Sequence, residues 1–179
     1  TTDAAANSAL ASGAIDIDST GSVVLNGSLI TTGANNSTGV GSAGGNVSVT
    51  VATDATATIT VKGGINTDGG DSTTSGSNGG AAGTVTLDTA GGIITLDATT
   101  ISAQGGSTLD ASAGNGGSVT VADPVTLATN PTTINTAGNA GGAVTFQSTV
   151  DGAQQLSVNS GTADISFDAA VGAATRLGA

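Results

Sequence analysis

The stretch GNGGSVTV, residues 114–121, carries the pattern from which the fold can be inferred. Similar stretches occur as AGGNVSVTV at 43–51, AAGTVTLD at 81–88 and AGGAVTFQ at 140–147. In each of them a glycine-containing turn precedes apolar residues at every second position, with a polar residue between them. This period of two predicts a strand that buries one face and exposes the other. The chain therefore restarts the same kind of strand several times.

Three strand signals recur in a fixed order. The first is the apolar pair after the glycine turn, the second is another pair within about a dozen residues, and the third is an Ile followed by a polar and then a small residue. The first signal comprises Ile15 and Ile17, Val47 and Val49, Val85 and Leu87, Val119 and Val121, and Val144 and Phe146. The second comprises Val23 and Leu25, Ile59 and Val61, Ile94 and Leu96, and Val125 and Leu127. The third is centred on Ile30, Ile65, Ile101 and Ile134.

The spacing of these signals predicts a solenoid. The third Ile recurs after 35, 36 and 33 residues, whereas the connectors to the next first strand vary between 10 and 20 residues. Three strands per turn with variable loops at one edge are typical of a parallel β-helix. An antiparallel β-sandwich or barrel and a disordered chain are the alternatives. We expect a cap or lead-in over 1–12 and a single β-helix domain of about four to six turns over 13–179.

The β-helix interpretation makes local predictions. The Gly-, Ser-, Asn- and Asp-rich connectors are expected to need positive φ angles and to be exposed to solvent. Further, shorter turns are expected after Phe146, where Leu156 and Val158, then Ile165 and Phe167, still alternate. One outward ladder is predicted to contain Thr31, Asn66, Ser102 and Asn135. Small residues near a corner are predicted at Thr32, Thr67, Ala103 and Thr136.

Composition limits the partners. The 179 residues include 13 Asp and no Glu, the side-chain cations are Lys62 and Arg176, and the net charge is −11. Such a chain cannot neutralise phosphates, so we expect no nucleic-acid binding, and no apolar run approaches the roughly 20 residues needed to cross a bilayer. The sequence begins without a signal segment, which favours a mature product or an excised piece. A Cys-free, Thr-, Asn- and Gly-rich composition favours an extracellular location.

Enzymatic motifs are weak. GVGSAG at 39–44 has the spacing of a dinucleotide-binding loop, but a loop precedes it and a strand follows it, whereas that site needs a strand before and a helix after. The chain has no His, Cys, Tyr or Trp, which disfavours acid–base chemistry on polysaccharides. We therefore predict a protein that is not an enzyme, with no catalytic, cofactor-binding or metal-binding residues assigned.

Two small-ligand alternatives remain. Calcium suits carboxylate and carbonyl oxygens, and NTDGGDS offers Asp68 and Asp71 while GAIDIDS offers Asp16 and Asp18. Ice binding on a flat face is the other alternative, for which Thr58-x-Thr60 is the clearest pair. Its counterparts in the other turns are Val24, Ile93 and Thr95, and Thr126.

The GGxVxV turns and the ending LSVNSGTADISFDAAVGAATRLGA resemble the β-strand repeats of very large bacterial surface proteins related to filamentous haemagglutinin. The resemblance covers roughly residues 13–179 and concerns the style of the repeat; the secretion-recognition motif of that family is not visible. It implies a right-handed parallel β-helix within an exported adhesin or fibre. We expect a non-enzymatic structural or adhesive segment at the bacterial cell surface, with a carbohydrate- or ice-binding module as the alternative. Expected partners are other copies stacked end to end, neighbouring repeats, or a host or matrix glycan or protein.

Overall fold

The computed structural model describes residues 1–2, 10–97, 99–128 and 131–178. These residues form only strands, turns and irregular segments, so the all-β prediction is confirmed. No helix in the described ranges is long and apolar enough to cross a bilayer. The strands in chain order are β1 (Ile15–Ser19), β2 (Val23–Leu25), β3 (Leu29–Ile30), β4 (Val47–Val51), β5 (Thr58–Val61), β6 (Ile65–Asn66), β7 (Val85–Asp88), β8 (Ile93–Leu96), β9 (Thr100–Ser102), β10 (Val119–Val121), β11 (Val125–Leu127), β12 (Thr132–Asn135), β13 (Val144–Phe146), β14 (Val150–Asp151), β15 (Leu156–Asn159) and β16 (Ile165–Phe167).

The strands form three parallel sheets in which neighbours are one turn apart. Sheet A has the order β1-β4-β7-β10-β13-β16, sheet B the order β14-β11-β8-β5-β2, and sheet C the order β15-β12-β9-β6-β3. Each of the first five turns contributes one strand to sheet A, one to sheet B and one to sheet C, and the sixth contributes β16 to sheet A. This topology confirms the predicted parallel β-helix with three short strands per turn, and β14, β15 and β16 confirm the further turns after Phe146.

The register between successive turns places similar side chains next to each other. Val119 pairs with Val85 on one side and with Val144 on the other, and the intervening Thr120 pairs with Thr86 and Thr145. β-branched residues pack well on such pleated surfaces, which explains the abundance of Val, Ile and Thr in these strands. The inward positions form one continuous apolar core. It includes Val47, Val49, Val51, Ile59, Val61, Ile65, Val85, Leu87, Ile94, Leu96, Ile101, Val119, Val121, Leu127, Ile134, Val144 and Phe146.

The predicted alignment of the first turn in sheet C was wrong by one residue. Leu29 pairs with Ile65, and Ile30 pairs with Asn66. The predicted outward ladder therefore begins at Ile30 instead of Thr31 and continues through Asn66, Ser102, Asn135 and Asn159. Because side chains alternate between the faces of a strand, this shift moves Thr31 inward, where it is fully buried.

All the long connectors leave the helix after sheet C and return before sheet A. Residues 32–44, 68–82 and 104–116 thus extend from the same corner of successive turns, and we call them the loop layer. The glycine-rich edge loops predicted from the sequence are present at this corner.

Candidate functional site

The loop layer is the first candidate site, because its sequence varies most between turns. In each loop the chain runs outward and then returns, and the outgoing and returning segments are hydrogen-bonded to each other. The Ser42 amide donates to the Ala34 carbonyl at 3.0 Å, the Gly80 amide to Gly70 at 2.8 Å and the Gly114 amide to Gly106 at 2.8 Å. The loops are also joined to one another, since the Gly70 amide donates to the Ser42 carbonyl and the Gly106 amide to the Gly80 carbonyl, both at 2.8 Å. The three loops form a continuous hydrogen-bonded layer.

The glycines of this layer permit close approach of backbones. A Cβ on Gly70 would lie 2.0 Å from the Ala34 carbonyl oxygen, and one on Gly114 would lie 1.7 Å from the Gly80 carbonyl oxygen. Gly70, Gly80, Gly106 and Gly114 are buried. Among the described glycines, only Gly76, Gly91, Gly152, Gly161 and Gly172 have positive φ. The predictions that the connector glycines supply positive φ and that the loops are freely exposed were therefore wrong for most of the layer.

The stretch with dinucleotide-type spacing belongs to the same layer. A Cβ on Gly41 would lie 1.9 Å from the Gly70 carbonyl oxygen, and a Cβ on Gly44 would lie 2.1 Å from the Thr67 carbonyl oxygen. The segment then leads into strand β4 rather than into a helix. Its glycines are accounted for by backbone packing between turns.

A repeated hydrogen-bonded closure holds the base of each loop, and we call it the threonine clasp. The Thr31 hydroxyl donates to the Gly45 carbonyl at 2.6 Å, and the Gly45 amide donates to the Thr31 carbonyl at 2.8 Å. Thr67 and Gly83 repeat both bonds, at 2.9 and 2.8 Å. Both bonds also join Thr136 to Gly142 and Ser160 to Ala163. Only the hydroxyl bond joins Thr2 to Gly13, and only the amide bond joins Ala103 to Gly117. Loops of different length thus start and end at the same two positions.

The clasp lies at the corner where the sequence predicts small residues, but its hydrogen bonds were not predicted. Thr67, Ala103 and Thr136 lie in the predicted column, whereas in the first turn the position belongs to Thr31 rather than Thr32. The available signal was a hydroxyl residue before most of the variable connectors, with Ala103 as the exception, and a glycine at the end of most of them, with Ala163 as the exception.

The candidate calcium ligands lie on different elements. Asp16 and Asp18 are on the outward face of β1 and are exposed, whereas Asp68 and Asp71 are in the loop layer. No group of three or more acidic side chains in the described ranges is placed to hold a metal ion. The structure therefore does not bring the four carboxylates together.

Asp68 and Asp71 have partners in the next turn. The Asp68 carboxylate accepts from the Ser102 hydroxyl and the Gln104 amide, both at 2.7 Å, and the Asp71 carboxylate accepts from the Ser107 amide at 2.7 Å. Asn side chains do the same at other positions. Asn35 accepts from the Asp71 amide, Asn46 from Thr84, Asn78 from Ser112 and Asn115 from Ala140. These acids and amides satisfy backbone donors of the neighbouring turn, which is a structural use of their oxygens.

Two carboxylates have a lowered pKa because of local hydrogen bonds. The Ser75 hydroxyl and the Gly76 amide donate to Asp110 at 2.6 and 2.7 Å and lower the pKa of that carboxyl, with Ser75 contributing most. The Thr56 hydroxyl and amide lower the pKa of the Asp54 carboxyl in the same way, at 2.7 and 2.9 Å. A general acid at neutral pH needs a raised pKa, so neither group suits that role.

The outward face of sheet A carries a column of hydroxyl groups, which we call the hydroxyl column. Thr86, Thr120 and Thr145 are directly paired on successive strands, and Ser48 and Ser166 extend the column at its two ends. All five side chains are partly exposed. In sheet B the alignment predicted for ice binding is confirmed, because Thr60 pairs with Val24 and Thr95, Thr58 with Ile93, and Thr126 with Thr95. The Thr-x-Thr pattern therefore occupies a single strand of sheet B, and the longer hydroxyl row is on sheet A.

Comparison with known protein families, curated proteins and solved structures found no match.

Proposed function

We propose that this chain is a non-enzymatic structural and adhesive segment of a bacterial extracellular surface protein or fibre, in which it forms a rigid β-helical rod. The observation that supports this function most directly is the use of polar side chains between turns. Asp68 and Asp71 bind donors of the following turn, and Asp123 accepts from the Thr89 and Gly91 amides of the preceding turn at 2.7 and 2.9 Å. These carboxylates stabilise the stacking of turns.

The ends of sheet A support association along the rod axis. β1 and β16 are its two edge strands, and the edges of parallel strands offer unpaired backbone groups to further strands. Stacked strands lie about 4.8 Å apart, so six levels of sheet A span only about 25–30 Å. Longer rods would arise by end-to-end stacking of copies or by stacking on neighbouring repeats.

The rod proposal is tested by solution scattering and electron microscopy of the purified chain over a range of concentrations. We expect particles of constant cross-section whose length grows in steps of one unit. A particle of one unit at every concentration would contradict the end-to-end arrangement.

The surface location is tested by labelling intact and permeabilised cells with an antibody against the chain. We expect intact cells to be labelled as strongly as permeabilised cells.

The non-enzymatic part is tested by assaying polysaccharide cleavage. We expect no turnover. Cleavage that is lost in Asp68→Asn or Asp71→Asn, and kept in the matched Asp88→Asn variant, would overturn this part of the proposal.

The hydroxyl column favours a second candidate function, the binding of ice or of a regular carbohydrate surface. Its hydroxyls repeat with the strand spacing over five turns, as a periodic ligand requires. Thermal hysteresis and glycan-array binding test this function. If it is correct, the Thr86→Val/Thr120→Val/Thr145→Val variant loses the signal, and the control variant Thr100→Val/Thr133→Val, on the outward face of sheet C, keeps it. Absence of a signal for the unmodified chain in both assays would exclude it.

A further inference from the structure

The last turn exposes the end of the apolar core. Val144 and Phe146 of β13 have no exposed surface, whereas Ile165 and Phe167, their partners in β16, are 42% and 39% exposed. Val171, which bridges to Val150, is 44% exposed. The ring of Phe167 stacks on that of Phe146 with the centroids 5.0 Å apart, so one of its faces is covered by the preceding turn. The other side of β16 has no further strand among the described residues.

The opposite edge of sheet A has a matching pattern. Ile15 and Ile17 of β1 face the core, are partly exposed and pair with Val47 and Val49 of the next turn. No described strand lies on the outer side of β1. Both edge strands therefore present apolar, polar, apolar residues in the same order.

We propose that β16 of one copy pairs with β1 of a second copy in the same parallel register as every turn-to-turn contact of the molecule, and that the opposed acidic residues Asp18 and Asp168 weaken this pairing. The inference rests on the end-to-end stacking proposed above and adds its contact strands and the charge pair that limits it. The register places Ile165 against Ile15 and Phe167 against Ile17, which buries the open end of the core. Outside the core, it places Ser166 against Asp16 and Asp168 against Asp18.

The Asp168–Asp18 pair opposes stacking at neutral pH. Like charges directly opposite each other on neighbouring strands are destabilising, and this register opposes two acidic side chains. The strands packed on the two edge strands supply no compensating cation: the positions beside these carboxylates are Thr50 on β4 and Gln147 after β13. The other acidic groups near the junction are Asp16 on β1 and Asp164 before β16, and they add negative charge. Lys62 lies after β5 in sheet B, and Arg176 lies in the exposed segment after Val171.

Sedimentation equilibrium of the full chain and its variants at pH 7 tests the proposal. We expect the dissociation constant for stacking to be about two- to fivefold lower for the Asp18→Asn/Asp168→Asn variant than for the unmodified chain, because the substitutions remove the repulsion of one opposed pair. The Asp88→Asn/Asp97→Asn variant has the same net charge but is altered away from both edge strands, so it should behave like the unmodified chain.

The contact strands are tested separately by Phe167→Lys and Ile17→Lys, each of which should abolish association while circular dichroism shows an intact β-structure. Failure of the unmodified chain and of both Asp→Asn variants to associate would contradict the end-to-end stacking itself. Association that is equally tight in the unmodified chain and the Asp18→Asn/Asp168→Asn variant, or equally improved in the two Asp→Asn variants, would overturn the role of the charge pair and leave the stacking in place.

Discussion

Gly80 lies where three segments of backbone meet. A Cβ at this position would be 1.9 Å from the carbonyl oxygen of Ser42 and 2.8 Å from that of Gly41, and both atoms belong to the loop of the preceding turn. The Gly80 amide donates to the Gly70 carbonyl, and its own carbonyl accepts from Gly106. Three loops therefore depend on the small size of a single residue.

We expect Gly80→Ala to lower the free energy of unfolding by about 1–3 kcal/mol, because the backbone must shift to admit the methyl group. Urea denaturation followed by circular dichroism measures this difference. The control is Gly27→Ala, where a Cβ would meet nothing within 4 Å. This variant should be as stable as the unmodified chain or up to about 1 kcal/mol more stable, since alanine restricts the unfolded chain. Equal destabilisation by the two changes would refute the packed loop layer.

Asp110 gives stability a dependence on pH. Its folded-state pKa is lowered by bonds from Ser75 and Gly76, so it contributes stability that is fully present above the unfolded-state pKa and is lost as pH falls through the folded-state pKa. We expect the melting temperature of the unmodified chain to decrease as the pH is lowered below about 4, where an ordinary aspartate becomes protonated. Asp110→Asn should reduce this fall, and measurement of melting curves between pH 7 and pH 2.5 would reveal it. An unchanged profile in the variant would show that the Asp110 bonds are not coupled to folding.

At the scale of strands and loops, the sequence predicted most of the architecture. The alternating pairs located the strands of sheets A and B, because period two is a direct consequence of the pleat. The first strand of sheet C was misaligned, since Leu29 and Ile30 are both apolar and only the alignment with Ile65 decides which of them faces inward. Two adjacent apolar residues carry no alternation from which to choose.

The role of the connector glycines could not be inferred from one turn alone. Positive φ and close backbone approach both favour glycine, and only the neighbouring turn distinguishes them. Gly70 and Gly106 recur at equivalent positions, as do Gly80 and Gly114. A recurrence of glycine at the repeat spacing inside variable loops is thus the signal by which such a packed layer could be recognised.

The threonine clasp leads to a prediction for the base of a loop. Thr67→Val keeps the shape of the side chain but removes the buried hydroxyl that donates to Gly83, so we expect a loss of about 1 kcal/mol in the free energy of unfolding. Thr67→Ser keeps the hydroxyl and should retain more stability than the valine variant. Chemical denaturation of the two variants makes the comparison. A serine variant that is less stable than the valine variant would show that packing of the methyl group, rather than the hydrogen bond, decides the stability at this position.

At the scale of the whole molecule, each described strand is hydrogen-bonded only to the equivalent strands of the turns before and after it. Stability in such a linear array is approximately a sum of contributions from turns and from the interfaces between them. In sheet A, the strands of the first and last turns, β1 and β16, each pair with one other strand, whereas the strands of the turns between them pair with two. The middle of the rod should therefore open least often.

Hydrogen exchange measured by mass spectrometry under native conditions tests this gradient. We expect the slowest amide exchange in β7, β8 and β9, and faster exchange in β16 and in the segment after Val171, because local opening needs fewer broken contacts there. Uniform protection along the chain would instead indicate that the rod opens as one cooperative unit.

The threonine clasp also affects how such a chain can change during evolution. The two ends of each connector are held together at the same corner whether the connector encloses many residues, as between Thr67 and Gly83, or few, as between Ser160 and Ala163. Lengthening or shortening a connector therefore leaves the positions of the flanking strands unchanged. Insertions and deletions can accumulate at this corner while the register of the three sheets is inherited intact, so new surface segments can be acquired one turn at a time.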